Sequence, residues 1–155
     1  MVLTKQRQEE LVCVAMEETA LAIARGDEPF GGVLADAQGS ILVREGNREM
    51  TEQDPTAHAE MALIRKACKK LGTNDLSGYV LVCNAESCSM CASALIKAGI
   101  REFYYGADME EFCDPFLRLT QVAAAAKQPI RLYGGILKEA CRAQIAAARQ
   151  QKNMK

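Results

Sequence analysis

The sequence carries no excess of either charge: 19 Lys and Arg stand against 20 Asp and Glu, a net charge of -1 at pH 7. A protein that grips a polyanion usually has a basic surplus, because each neutralised phosphate releases counterions and adds affinity. Nucleic acid is therefore not expected as a partner. Long apolar runs are also missing. Nothing approaches the roughly 20 residues that span a bilayer, and MVLTKQRQEE at 1–10 lacks the apolar stretch of a signal peptide. A soluble, cytoplasmic protein with no membrane partner is expected. No repeat, low-complexity segment or linker divides the chain, so residues 1–155 are expected to form one domain, with only the polar tail 150–155 flexible. Histidine is reduced to a single residue, His58. The seven cysteines are odd in number and scattered, which argues against a disulfide framework. In a reducing compartment they matter as metal ligands or nucleophiles.

What is present suits a folded domain. Hydrophobic residues make up 49% and charged residues 25%, the balance of an ordinary soluble protein. A chain of this length buries roughly 70% of its unfolded surface and needs no staples. Apolar positions at helical spacing (Leu11, Val12, Ala15, Met16, Ala22, Ile23) predict a helix over 5–24, stopped by Gly26. Strands are expected at 33–35 and 41–43, joined as a hairpin through Gln38 and Gly39. A helix over 56–71 is expected behind Asp54 and Pro55. A buried strand at 79–82, a helix over 88–97, a strand at 102–105, a helical patch over 115–126, a strand at 130–133 and a helix over 137–149 follow. The order α-β-β-α-β-α-β-α-β-α predicts a three-layer α/β/α sandwich. Its mixed five-stranded sheet should be mostly parallel, with the early hairpin as an antiparallel edge.

Two short runs carry chemistry: Thr56-Ala57-His58-Ala59-Glu60 and Ser87-Cys88-Ser89-Met90-Cys91. Zinc takes nitrogen and thiolate ligands in a tetrahedron, and three protein ligands leave one position for water. Cys88 and Cys91 lie three apart at a helix start, so both sulfurs can face one ion. The helix N-terminus also favours their thiolate forms. His58 supplies a third ligand from the opposing helix. Glu60, two residues on, points elsewhere and is expected to serve as the proton carrier rather than a ligand. Two thiolates cancel the charge of one Zn2+ per chain, leaving a near-neutral site that still polarises water. Glu60 can take a proton from water and deliver protons to a ring nitrogen and a departing amine. Cys13, Cys68 and Cys141 are expected to pack on apolar helix faces, and Cys83 to pack at a strand end near the metal helix. Cys113 is open between packing and function.

H-x-E followed by P-C-x-x-C is the signature of zinc base deaminases, and the resemblance here is to the cytidine-deaminase superfamily. DPTAHAEMALIR at 54–65 resembles its guanine deaminase and tRNA adenosine deaminase branches. PFGGV at 29–33 and EGN at 45–47 are similar to its early strands, and YGGILKEAC at 133–141 to its last helix. The family's proline before the first cysteine is Ser87 here. Serine is a favoured N-cap residue, so the metal site is expected to survive. The resemblance implies hydrolytic deamination of a small amino-substituted heterocycle. It implies substrate contacts from Asn47, from Ala57 and from backbone groups around Glu86. Asn47 otherwise reads as a turn residue. Asp114, in EFCDPF, either caps a helix or contacts a purine as in guanine deaminases, and Phe30 either joins the core or stacks on a flat ring.

Guanine is the first expected substrate. Cytosine, isocytosine and an amino-triazine are alternatives, as are tRNA adenosine-to-inosine conversion and a zinc-binding scaffold without catalysis. A homodimer is also expected from the family, with the alanine-rich stretches 122–126 and 145–148 permitting close helix contacts.

Overall fold

The computed structural model describes residues 2–109 and 114–153. The chain begins with helix α1 (Lys5–Arg25), whose start is capped by the Thr4 hydroxyl accepting from Arg7 N and whose end is Gly26 in the left-handed region. The hairpin β1 (Gly31–Asp36) and β2 (Ile41–Gly46) follows, then a four-residue helix α2 (Glu49–Glu52). Helix α3 (Ala59–Leu71) leads to β3 (Tyr79–Ala85), α4 (Ser89–Lys97) to β4 (Glu102–Ala107), and α5 (Leu119–Ala124) to β5 (Arg131–Tyr133). Helix α6 (Lys138–Asn153) closes the described chain.

The sheet order is β2-β1-β3-β4-β5. The expected mixed five-stranded sheet is present, but it is not mostly parallel. β1 pairs antiparallel with both β2 and β3, while β3–β4 and β4–β5 are parallel. The reason is topological. Helix α3 links β2 and β3, which do run the same way, but β1 lies between them and converts both contacts to antiparallel ones.

Side-chain alternation builds two cores from one sheet. Leu34, Leu81, Cys83, Phe103 and Tyr105 face α3, α4 and α5, where they meet Leu63, Leu95 and Leu119. Their neighbours Val33, Ala35, Val80, Val82 and Tyr104 face α1 and α6, where they meet Leu11, Val12, Cys141 and Ile145. β3 and β4 are therefore covered on both faces, the burial that parallel strands require. The glycine pair of PFGGV has a packing cause. A Cβ on Gly31 would lie 2.5 Å from Thr19 N and 2.6 Å from Ala15 O of α1, and one on Gly32 would lie 2.6 Å from Cys83 Sγ. Only glycine lets β1 sit this close to both layers.

Several expected boundaries move. Helix α3 starts at Ala59 rather than 56, because the Asp54 carboxylate takes the Thr56 amide (2.8 Å) and hydroxyl (2.7 Å) into a separate turn. Ser87 is not the cap of α4; Cys88 occupies that position. The patch over 115–126 contracts to α5, capped by Arg118 with Gln121, so Asp114 is not its cap. Residues 150–153 continue α6 instead of forming a loose tail, and Lys152 pairs with Glu28 at 2.8 Å. Cys141 is buried and Cys68 half-buried, but Cys13 is exposed rather than packed. Cys113 lies outside the described residues.

Candidate active site

The two motif histidine and cysteine runs fold alike. His58 is the N-cap of α3 and Cys88 the N-cap of α4, each with extended backbone (φ -67°, ψ 155° and φ -69°, ψ 171°). Neither side chain caps its own helix. Their carbonyls accept the first helical bonds, from Ala62 N and Ala92 N, and the side chains are left to converge between the two helix ends. Cys91, one turn into α4, completes the group. His58 Nδ1 lies 3.5 Å from Cys88 Sγ and 3.4 Å from Cys91 Sγ, and the three donor atoms all lie within 4.8 Å of one another. A tetrahedral ion with Zn–S near 2.3 Å and Zn–N near 2.0 Å separates such atoms by about 3.5 Å. The donor set fits zinc in both chemistry and spacing. Among the described residues it comprises these three side chains and no fourth.

The cluster's electrostatics follow from its contacts. Cys88 is drawn down to about 4, first by the hydrogen bond from the Cys91 thiol and then by His58. His58 is pushed up to about 9 by its hydrogen bond to Cys88. Cys91 is raised because its proton is held against the Cys88 sulfur. Glu60 is buried on the second residue of α3, and burial, then the nearby Cys88 sulfur, raises its carboxyl above the ordinary value. It faces the cluster as an acid that retains a proton more readily than an exposed glutamate does.

A cavity of about 370 Å³ opens beside this group, and His58, Cys88 and Glu60 line it. Of the expected substrate residues, Phe30, Asn47 and Glu86 also line it, whereas Ala57 and Asp114 do not. Ala57 is buried, with its N–H given to Asp54 O (3.0 Å) and its carbonyl taken by Arg48 N (2.9 Å). Asp114 is exposed. Asn47 is a buried anchor: its Oδ1 accepts from Glu49 N (2.9 Å) and Glu28 N (3.3 Å), and its Nδ2 donates to Glu49 Oε1 (2.7 Å). Glu86 Oε1 accepts from Met109 N (2.7 Å) and Arg118 Nη2 (2.6 Å), which ties the loop after β4 to the approach to Cys88.

Several cavity residues escaped the sequence reading. Asn84, at the end of an apolar strand, spans Phe30: its Nδ2 donates to Pro29 O and its Oδ1 accepts from Gly31 N, both at 3.0 Å. A polar side chain in a buried strand was the available signal. Glu49 approaches His58 Nε2 at 3.2 Å, and nothing local in the sequence marks it. Arg149 of α6 lies over the Phe30 ring at 5.6 Å from its centroid. It reaches the cavity because α6 packs on the sheet beside α1 and its last turn returns to Glu28.

Residues 5–107 match the family model described as the cytidine and deoxycytidylate deaminase zinc-binding region. The chain is 45% identical over 94 residues to the tRNA-specific adenosine deaminase of Agrobacterium fabrum, covering 61% of each protein. It is 41% identical over 80 residues to the guanine deaminase of Bacillus subtilis, covering 52% of this chain and 51% of that one. The chain thus aligns with less than two thirds of the length of either curated relative. A solved structure from work on tRNA:A34 deaminases and A-to-I editing superposes with a TM-score of 0.79 at 32% identity, covering 87% of this chain and 98% of that one. With the fold, the zinc-binding donor set and the family match in agreement, the chain belongs to the cytidine and deoxycytidylate deaminase family.

Proposed function

We propose that this chain hydrolyses the exocyclic amino group of a purine and releases ammonia, with adenosine in tRNA as the substrate class. The carrying observation is the convergence of His58, Cys88, Cys91 and buried Glu60 on one cavity. The balanced overall charge led to the expectation of no nucleic-acid partner, and that expectation is revised. Relatives named for tRNA substrates outweigh a net charge, which averages over the whole surface and says little of one face.

His58, Cys88 and Cys91 would hold the zinc ion, which when bound supplies Lewis-acid activation of water. The remaining work falls to the chain's own groups. Glu60 accepts a proton from water as the oxygen bonds to the ring carbon that bears the amine, and passes a proton to the adjacent ring nitrogen. It then takes the proton of the newly added hydroxyl and delivers it to the departing nitrogen as the C–N bond breaks, so ammonia leaves and a ring carbonyl remains. Burial raises its pKa above the ordinary carboxyl value, the direction that suits a group that must both take and give protons. Asn47 has one amide hydrogen beyond its bond to Glu49, and that donor is available to a polar edge of the base. Phe30 offers an aromatic wall.

A second reading, free guanine, is favoured by the rim of the cavity. Arg149 over Phe30 and the Lys152–Glu28 pair draw the chain's own last helix across the opening, an enclosure suited to a small base. The deciding experiment incubates zinc-loaded protein with a tRNA transcript carrying a target adenosine, and separately with guanine, adenine and cytosine. Inosine in the transcript with no ammonia from free bases is the expected result. Ammonia from guanine alone would overturn the tRNA reading in favour of the second. Silence on every substrate would favour the scaffold without catalysis. We also propose a homodimer, checked by the native mass of the same preparation against the 16.9 kDa chain.

A further inference from the structure

We infer that Glu49 is a positioning residue for the metal centre, holding the His58 imidazole in the tautomer and orientation that aim Nδ1 at the two sulfurs. His58 has two ring nitrogens with opposite tasks. Nδ1 faces Cys88 and Cys91 at 3.5 and 3.4 Å, and Nε2 faces Glu49 Oε1 at 3.2 Å. A neutral imidazole has one N–H and one lone pair. Donation of the Nε2 hydrogen to Glu49 leaves the lone pair on Nδ1, the form a metal needs. A carboxylate in this place also raises the basicity of the ligating nitrogen.

Glu49 is itself fixed from several directions. The same Oε1 accepts from Asn47 Nδ2 at 2.7 Å. Its backbone N–H donates to Asn47 Oδ1 at 2.9 Å, and its carbonyl accepts from Asp54 N at 3.0 Å. The next two amides, of Met50 and Thr51, donate to the buried Asp27 Oδ1 at 3.0 and 2.8 Å, and the Thr51 hydroxyl donates to Asp27 Oδ2 at 2.6 Å. Asp27 thus caps α2 from the far end of α1 and pins the short helix that presents Glu49. A four-residue helix has little stability of its own, so this anchorage explains how α2 can hold a carboxylate in one place. Asn47 joins two functions, since one amide hydrogen orients Glu49 while the other remains for the cavity.

The inference rests on the zinc reading above, and the test separates the two. Zinc affinity is measured by competition with a chromophoric chelator for wild type, Glu49→Ala and Glu49→Gln, alongside the thermal midpoint of each metal-free protein. Loss of an outer partner of a ligating histidine typically weakens metal binding by about 10–100-fold. That loss is expected for Glu49→Ala, with Glu49→Gln recovering part of it because the amide oxygen still accepts from Nε2. The metal-free midpoints of wild type and Glu49→Gln should agree, since the amide oxygen also keeps the bond from Asn47 Nδ2, while Glu49→Ala loses that bond and should fall by a few degrees. Glu49→Leu, which fills the space without an acceptor, replaces the alanine variant if that chain does not fold. Variants that bind zinc within threefold of wild type would overturn this inference alone. So would a fall in metal-free stability that accounts for the weaker binding. A wild-type protein that takes up no zinc would overturn both readings.

Discussion

Asn84 offers the sharpest test of how the scaffold holds the cavity wall. Its amide bonds the two backbone groups flanking Phe30, Pro29 O and Gly31 N, each at 3.0 Å, and it is 1% exposed. Asn84→Leu removes both partners and leaves no room for water to replace them. An unsatisfied buried group costs about 1–3 kcal/mol, so two such groups cost about 2–6 kcal/mol. For a domain of this size each kcal/mol shifts the midpoint by roughly 2–4 °C, which predicts a fall of about 4–24 °C. Asn84→Ala admits a water molecule, which can bridge both groups, and should sit at the low end of that range. Scanning calorimetry of the three metal-free proteins reads the order directly. Because Phe30 is released, KM should rise in both variants while zinc affinity holds. A leucine variant within 2 °C of wild type, or one no less stable than the alanine variant, would refute the reasoning.

Glu60→Gln should bind zinc normally while losing activity by ~10²–10⁴-fold; comparable turnover in ammonia-release assays would remove Glu60 from the proton path. The same variant should be more stable than wild type when metal-free at neutral pH. The Glu60 pKa is raised on folding, so its favourable contribution is complete below its ordinary value of 4.5 and is lost as pH rises through the raised value. The gain should therefore shrink as pH falls toward 4.5, and a pH-independent difference in thermal midpoints would contradict this sign. Replacing Arg149 and Lys152 together with alanine should raise KM severalfold with little change in kcat, because the rim loosens while the zinc ligands and Glu60 are untouched. An unchanged KM would show that α6 does not shape the opening.

The elements and the metal ligands were legible in the linear sequence because both depend on short-range spacing. Period-2 and period-3.6 apolar patterns mark which segments can bury a face, and Cys88 with Cys91 one turn apart marks a shared ion. The place of Glu60 beside the cluster, though not its proposed role, was legible through its offset of two from His58. The order of strands was not: nothing local tells β1 to insert between β2 and β3, which is settled by the packing of α1 and α3 on opposite faces. The contacts of Glu49, Asn84 and Arg149 at the cavity likewise come only from tertiary structure. Asp27 caps a helix 23 residues away, Asn84 bridges backbone more than 50 residues earlier, and Arg149 comes from a helix whose end returns to Glu28. Ala57 and Asp114, drawn to the site by resemblance, lie outside the cavity. The backbone bonds of Ala57 to Asp54 and Arg48 hold it there. The chemistry of the centre thus resides in short motifs, while the shape of the cavity and the orientation of the metal-binding histidine are properties of contacts that only the folded chain makes.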